Sequence, residues 1–276
     1  MGILALLVAL ASDAQEVRWF VVSEIEPNRN QSYLLPLADP EAIEQARVLV
    51  DQGPGNGVGS IASVRISAGP NGFNRDVLAE GSPLWSWHVT EFLGFADLAI
   101  ELCDGWPGFI EQDVGAFIRN TQGQVCFWGY TVTAELDEAP LFRINSSLNG
   151  GWFNPATPGQ GLMIDVLDDD QMFVAWFTFE EMAAKIGAPE HRWLTAQGGW
   201  DENRADLGLT LTTGGVFDAP EPVENAPVGT LELIFEHCNR GEAVYRFSDG
   251  NPPDGTFPIQ RLVPDPSCQP GGGEAM

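Results

Sequence analysis

His88 is the side chain of this 276-residue chain best suited to chemistry. It follows Trp85 and Trp87 on an alternating stretch, Leu84 to Val89, that reads as a strand, and Glu101 and Asp104 fall on a later segment able to run beside it. An imidazole next to a carboxylate serves as a general base or as a metal ligand. The competing reading is a structural histidine satisfied by one hydrogen bond. No nucleophile is marked: Ser86 stands in Trp85-Ser86-Trp87, not in the Gly-x-Ser-x-Gly turn that exposes a hydrolase serine. Ser86 also shares a strand face with His88 at a spacing too wide for a dyad.

Two further groups of residues can hold a ligand. Asp168, Asp169 and Asp170 form an acidic turn between two strand candidates. Calcium takes about six to eight oxygen ligands, and this turn has neither the Gly nor the distal Glu of an EF-hand loop, so a solvated hairpin is the main expectation and calcium the option. The stretch Asp249 to Gly255 carries oxygen ligands as well, in letters that also spell a β-turn. Trp152, Trp176, Trp193 and Trp200 alternate with small or polar neighbours. Exposed, they make a stacking platform for a sugar ring or another flat ligand; buried, they are core. Arg192 and Arg204 flank this region and offset its acidity locally.

Composition restricts the partners. Thirteen Lys plus Arg face 39 Asp plus Glu, a net charge of −26, and Lys185 is the sole lysine. Nucleic acid and anionic membrane surfaces demand a basic footprint, so neither is expected. Solubility in an external, saline medium accounts for the acidity, with cation binding as the second reading. The apolar run Ile3 to Ala11, followed by Ser12, Asp13, Ala14 and Gln15, reads as an export signal over residues 1–15 that is too short to anchor stably in a bilayer, although the basic residues usual ahead of such a run are missing. A secreted or periplasmic location follows, with no cofactor expected beyond optional calcium. Export also makes disulfides the expected state of Cys103, Cys126, Cys238 and Cys268. Three pairings are open. The two local ones are favoured, since each closes a loop inside one candidate domain and contributes about 3 kcal/mol by restricting the unfolded chain.

The elements that must position these residues fall into two sets. With 31 Gly and 20 Pro in a chain that is 44% hydrophobic, short strands and many turns outweigh long helices. Arg18–Val22 and Ser32–Leu37 read as strands. Asp39-Pro40-Glu41 reads as a helix start, and Ala42, Ile43, Ala46, Leu49 and Val50 recur at helical spacing up to Gly53. Further strands are predicted over Gly59–Ala68, Leu84–Val89, Phe95–Cys103 and Val125–Leu136, with a short helix over Pro107–Asp113. After Asp137-Glu138-Ala139-Pro140 no long helix is expected. Eight strand candidates follow, beginning near Gly151, Gly161, Met172, Arg192, Ala205, Thr230, Ala243 and Thr256, with Gly, Pro, Asn and Asp turns between them. The expected fold is an α+β N-terminal domain, an antiparallel sheet with one or two helices over residues 16–138. A linker over 139–146 leads to an all-β antiparallel meander over 147–268, a small barrel or a sandwich, and a disordered tail over 269–276.

An ordered set of motifs carries a resemblance. Leu37-Ala38-Asp39-Pro40-Glu41-Ala42-Ile43 with Ala46-Arg47, then Leu84-Trp85-Ser86-Trp87-His88, then Asp97-Leu98-Ala99-Ile100-Glu101-Leu102-Cys103-Asp104, with Cys126 beyond, resembles the BP-seventy-four N-terminal domain family over roughly residues 20–136. The resemblance implies a Cys103–Cys126 bridge; it does not imply a reaction. The chain departs from that pattern by inserting Gly69-Pro70-Asn71-Gly72-Phe73-Asn74-Arg75-Asp76. The second half, from Gly151-Trp152-Phe153-Asn154-Pro155 to Cys238-Asn239, is similar to a β-rich module of exported bacterial proteins. The leading expectation is a secreted, non-catalytic binding or adhesion protein whose extracellular ligand is a glycan, a protein or a small molecule. An extracellular hydrolase using His88 with Glu101 or Asp104 is one alternative. A protease inhibitor presenting the segment between Cys103 and Cys126 is another.

Overall fold

The computed structural model describes residues 17–55, 57–167, 170–179, 191–248, 250, 252–265 and 268. The expected leader, Lys185, Asp168, Asp169, Asp249 and the tail lie outside the described residues. The N-terminal half runs β1 (Arg18–Glu24), β2 (Ser32–Leu37), α1 (Pro40–Gln52), β3 (Ile61–Ala68), β4 (Trp87–Ala96), α2 (Pro107–Gln112), α3 (Val114–Thr121), β5 (Gln124–Val125) and β6 (Tyr130–Glu135). The strands form two small antiparallel sheets, ordered β2-β1-β6 and β4-β3-β5. Pro36 is tolerated because β2 is an edge strand, where a missing amide breaks no ladder. The Asp39 carboxylate accepts the Ala42 amide at 2.8 Å, which caps α1, and the helix buries Ala42, Ile43, Ala46 and Leu49.

The sheet β2-β1-β6 is covered on both sides, which explains its unbroken apolar letters. Phe20, Val22, Tyr33 and Leu35 face the cluster that includes α1, whereas Trp19, Val21 and Leu34 join the core of the second half. Alternate residues of one strand thus serve two cores.

The second half is a closed barrel of eight antiparallel strands in sequence order. They are β7 (Gly150–Phe153), β8 (Gly161–Val166), β9 (Gln171–Phe179), β10 (His191–Asp201), β11 (Arg204–Thr213), β12 (Glu224–His237), β13 (Arg240–Phe247) and β14 (Gly255–Arg261). Inward positions alternate with outward ones along each strand, as in Leu162 and Ile164 or Leu207 and Leu209. The seam between β14 and β7 has only two residue pairs, Gln260 with Phe153 and Arg261 with Trp152. Arg261 reinforces it by donating to the Ser147 carbonyl and, at 2.7 Å, to the Asn149 carbonyl.

One end of the barrel is plugged by the N-terminal half. Trp19, Phe73, Phe142 and Ile144 share a core with Trp152 and Phe235. Phe73 lies 5.2 Å from Trp19 and 5.5 Å from Phe142, ring centre to ring centre. Phe73 belongs to the inserted stretch 69–76, which therefore acts as a wedge. Its backbone is held by buried polar groups. Asn71 accepts the Phe73 and Asn74 amides, while Asn74 accepts the Leu34 amide at 2.9 Å and donates to the Trp87 carbonyl at 2.9 Å. Asp76 accepts both the amide and the hydroxyl of Ser32. Residues 139–146 lie within this junction. Arg143 grips Glu202 of the β10–β11 turn through two hydrogen bonds of 2.9 and 2.8 Å and donates to the Ser82 carbonyl at 2.7 Å, and the Ile144 amide donates to the Glu202 carbonyl.

Three local expectations are corrected. The strand predicted over Leu84–Val89 begins at Trp87, and Leu84 contributes one isolated bridge to Arg75. No strand spans Phe95–Cys103: β4 ends at Ala96 because its neighbour β3 starts at Ile61, its partner there, and has no further residues to pair. The apolar alternation beyond that point faces water, with Leu98 90% exposed, and Glu101–Cys103 is a single 3-10 turn. The run Val125–Leu136 divides between β5, which pairs with β3, and β6, which pairs with β1, so it links the two sheets.

One prediction tests the junction and a second tests the N-terminal half. Gly72 has φ of 84°, and a Cβ there would sit 2.1 Å from the Phe142 ring. Gly72→Ala should therefore cost about 2–4 kcal/mol, from left-handed backbone strain plus overpacking; an unchanged midpoint in urea would refute the wedge. Glu135 receives hydrogen bonds from Arg47 at 2.8 and 2.9 Å and from Arg18 at 2.9 Å. The Arg47 contact foremost, with Arg18, pulls its carboxyl down to about 2 from the ordinary 4.5. A depressed carboxylate stabilises the fold fully above its unfolded value and loses that contribution as pH falls toward its folded value. Stability should decline between pH 4.5 and about 2, and Glu135→Gln should flatten that limb in pH-dependent thermal melts.

Candidate functional site

The end of the barrel away from the plug opens on a cavity of about 490 Å³. Four inward aromatic side chains line it: Trp176 of β9, Tyr245 and Phe247 of β13, and Phe257 of β14. They pack on one another, Trp176 lying 5.6 Å from Tyr245, 5.8 Å from Phe257 and 6.3 Å from Phe247. Strand alternation places them there, because Ala243 and Ile259 on the same faces point into the core. The polar side of the cavity comes from Asn154, Thr157 and Gln160 between β7 and β8, with Thr178 of β9 and Arg192 of β10. Thr178 and Arg192 are register partners on the inner face. The Thr178 hydroxyl donates to Gln160 Oε1 at 2.5 Å, and the Arg192 guanidinium lies 4.8 Å above the Phe247 ring. Such a surface, apolar with a few fixed polar groups, suits a small ligand.

The four tryptophans do not share one place. Trp176 lines the cavity. Trp152 is buried near the plugged end, 5.3 Å from Phe235, and donates to the Leu148 carbonyl at 2.8 Å. Trp200 is partly buried against the same core. Trp193 is 69% exposed on the outer face, in register with Phe177. Leu194 and Ala196 are buried, and the alternation they set sends Trp193 outward and Arg192 inward. The same alternation in Ala243-Val244-Tyr245-Arg246-Phe247 marks the missed aromatics as inward.

His88 is 2% exposed on β4. Its Nδ1 lies 2.7 Å from the Gly69 carbonyl, which can only accept, so Nδ1 carries the proton. Nε2 is buried with no hydrogen-bond partner, and neither Glu101 nor Asp104 bonds to the ring. Glu101 is exposed on the 3-10 turn, and Asp104 accepts the Trp128 amide at 2.8 Å. Burial pushes the imidazole below its ordinary value, against smaller opposing effects of the Gly69 hydrogen bond and the Asp265 charge. Asp170 occupies the β8–β9 turn, where its carbonyl accepts the Trp200 amide at 3.1 Å. Among the described residues no three His, Cys, Asp or Glu side chains gather around a common point. Both local disulfides are formed, Cys103–Cys126 and Cys238–Cys268. The segment inside the first one holds the packed helices α2 and α3; the latter, capped by Asp113 at 2.8 Å, is a helix the periodicity reading missed. Among the described residues no helix is long and apolar enough to cross a membrane.

Residues 16–139 match the BP-seventy-four N-terminal domain family. No curated protein and no solved structure matches the chain.

The setting of His88 gives a direct expectation. A buried neutral imidazole takes its proton at lower pH than the unfolded chain does, so stability falls as pH drops below about 6.5. An NMR titration should place the His88 midpoint below that value. A midpoint above it would show that burial does not dominate the setting of the ring.

Proposed function

We propose that this chain, whose first half matches the BP-seventy-four N-terminal domain family, is an exported, non-catalytic binding protein that holds a small ligand in the open mouth of its barrel. One observation carries the reading: the barrel end remote from the plug is hollow and lined by aromatic side chains with a polar edge. Its volume falls within the range of roughly 300–1,000 Å³ typical of small-molecule sites. The two disulfides are consistent with an oxidising, extracytoplasmic setting. The buried, singly bonded His88 lends the hydrolase reading no support, since a general base must reach the proton it abstracts. The paired helices between Cys103 and Cys126 likewise lend none to an inhibitor with an extended reactive loop.

The test is a fragment screen read by amide chemical shifts. Hits should perturb Trp176, Thr178 and Phe257, and Thr178→Trp, which fills the mouth from its wall, should abolish them while circular dichroism stays unchanged. Hits that gather elsewhere, or that survive Thr178→Trp, would remove the mouth as the binding site.

A further inference from the structure

We infer that the barrel mouth selects a flat conjugated ring bearing acceptor oxygens, a carbonyl or carboxylate compound; this rests on the mouth being the binding site. Depth is the first argument. Immediately below Trp176 the barrel is solid, with Val174, Ala196, Leu209 and Leu231 each no more than 1% exposed. A long alkyl chain therefore has no tunnel to enter, and the space is broad and shallow. The walls are the second. Four aromatic rings inclined to one another by 30–61° offer faces and edges against which another ring gains offset or edge-on contacts.

The polarity of the rim decides the rest. Asn154 Oδ1 accepts the Ala156 amide at 3.0 Å and Gln160 Oε1 accepts the Thr178 hydroxyl. With both oxygens engaged inside the protein, each amide offers a ligand its NH₂ donor. Arg192 adds a positive charge on the same cavity. In a chain with 39 acidic residues, no carboxylate lines the cavity among the described residues. A cationic ligand meets no carboxylate among those residues. A sugar, with hydroxyl protons around its whole edge, would leave several of them facing apolar wall, each at the cost of an unmade hydrogen bond. A ring with acceptor oxygens on one side meets donors on the polar side and aromatic surface elsewhere.

The experiment is calorimetric titration of the whole chain with 2-naphthoate, 2-naphthamide, 2-naphthylmethylammonium, decanoate and maltotriose. The naphthoate or the naphthamide should bind at least tenfold more tightly than the other three, and their ratio separates a carboxylate ligand from a neutral carbonyl one. Gln160→Leu should weaken that binding fivefold or more with the melting temperature held, and Thr178→Trp should abolish it. If the ammonium, decanoate or maltotriose binds as tightly, and Thr178→Trp still blocks it, the ligand class is wrong and the mouth stands. The same holds if the fragment screen finds the mouth but neither naphthyl acceptor binds. If naphthoate binding survives Thr178→Trp, the mouth itself is wrong.

Discussion

Burial of both faces of one three-stranded sheet is the constraint on which the rest of the molecule depends. A strand whose neighbouring side chains enter two different cores cannot slip by one residue, because every apolar group would then exchange cores. Trp19 and Val21 are committed to the barrel side and Phe20 and Val22 to the α1 side. The barrel in turn relies on that sheet, together with Phe73 and Phe142, to fill the end nearest Trp152 and Phe235. Each half therefore covers apolar surface that the other could not leave in water, and the far end of the barrel keeps a hollow. The open mouth is in this sense a remnant of how the two halves meet.

Much of this is legible in the letters, and what is not has a physical cause. The eight barrel strands follow from strict alternation between turn residues, and the cap and first turn of α1 follow from Asp39 and Pro40. The closure of those strands into a barrel is not readable, since alternation fixes a face but not the partner of the first and last strand. Alternation also misleads where the partner strand runs out, beyond Ala96. At the candidate site, tryptophan content draws attention to Trp193, whose neighbours Leu194 and Ala196 place it outside. Tyr245, Phe247 and Phe257 carry no such flag, though their register is equally plain. The role of the inserted stretch 69–76 is invisible in the sequence, because a wedge is defined by the two surfaces it separates.

The few cations are placed with economy against a large acidic excess. Arg18 and Arg47 converge on Glu135, Arg143 holds Glu202, and Arg29 pairs with Glu24 while lying 4.1 Å over the Trp106 ring. Glu24 also accepts three amides of the β1–β2 loop, at 2.8, 2.6 and 3.1 Å. Several of these pairs act as clamps between segments distant in sequence, where bidentate guanidinium geometry contributes more than an isolated surface ion pair. The acidic surface supplies repulsion between molecules.

The narrow seam of the barrel bears on how the chain comes into being. β7 finds its second neighbour only when β14 arrives, and the arginine that fastens the two reaches back 112 residues to Asn149. A polypeptide emerging from its amino terminus must hold a curled, open ribbon with two free margins, β7 and the last strand added, until β14 has been delivered. That interval exposes the ladder to neighbouring chains, and dilution or an escorting chaperone would govern yield more than the strength of the finished fold.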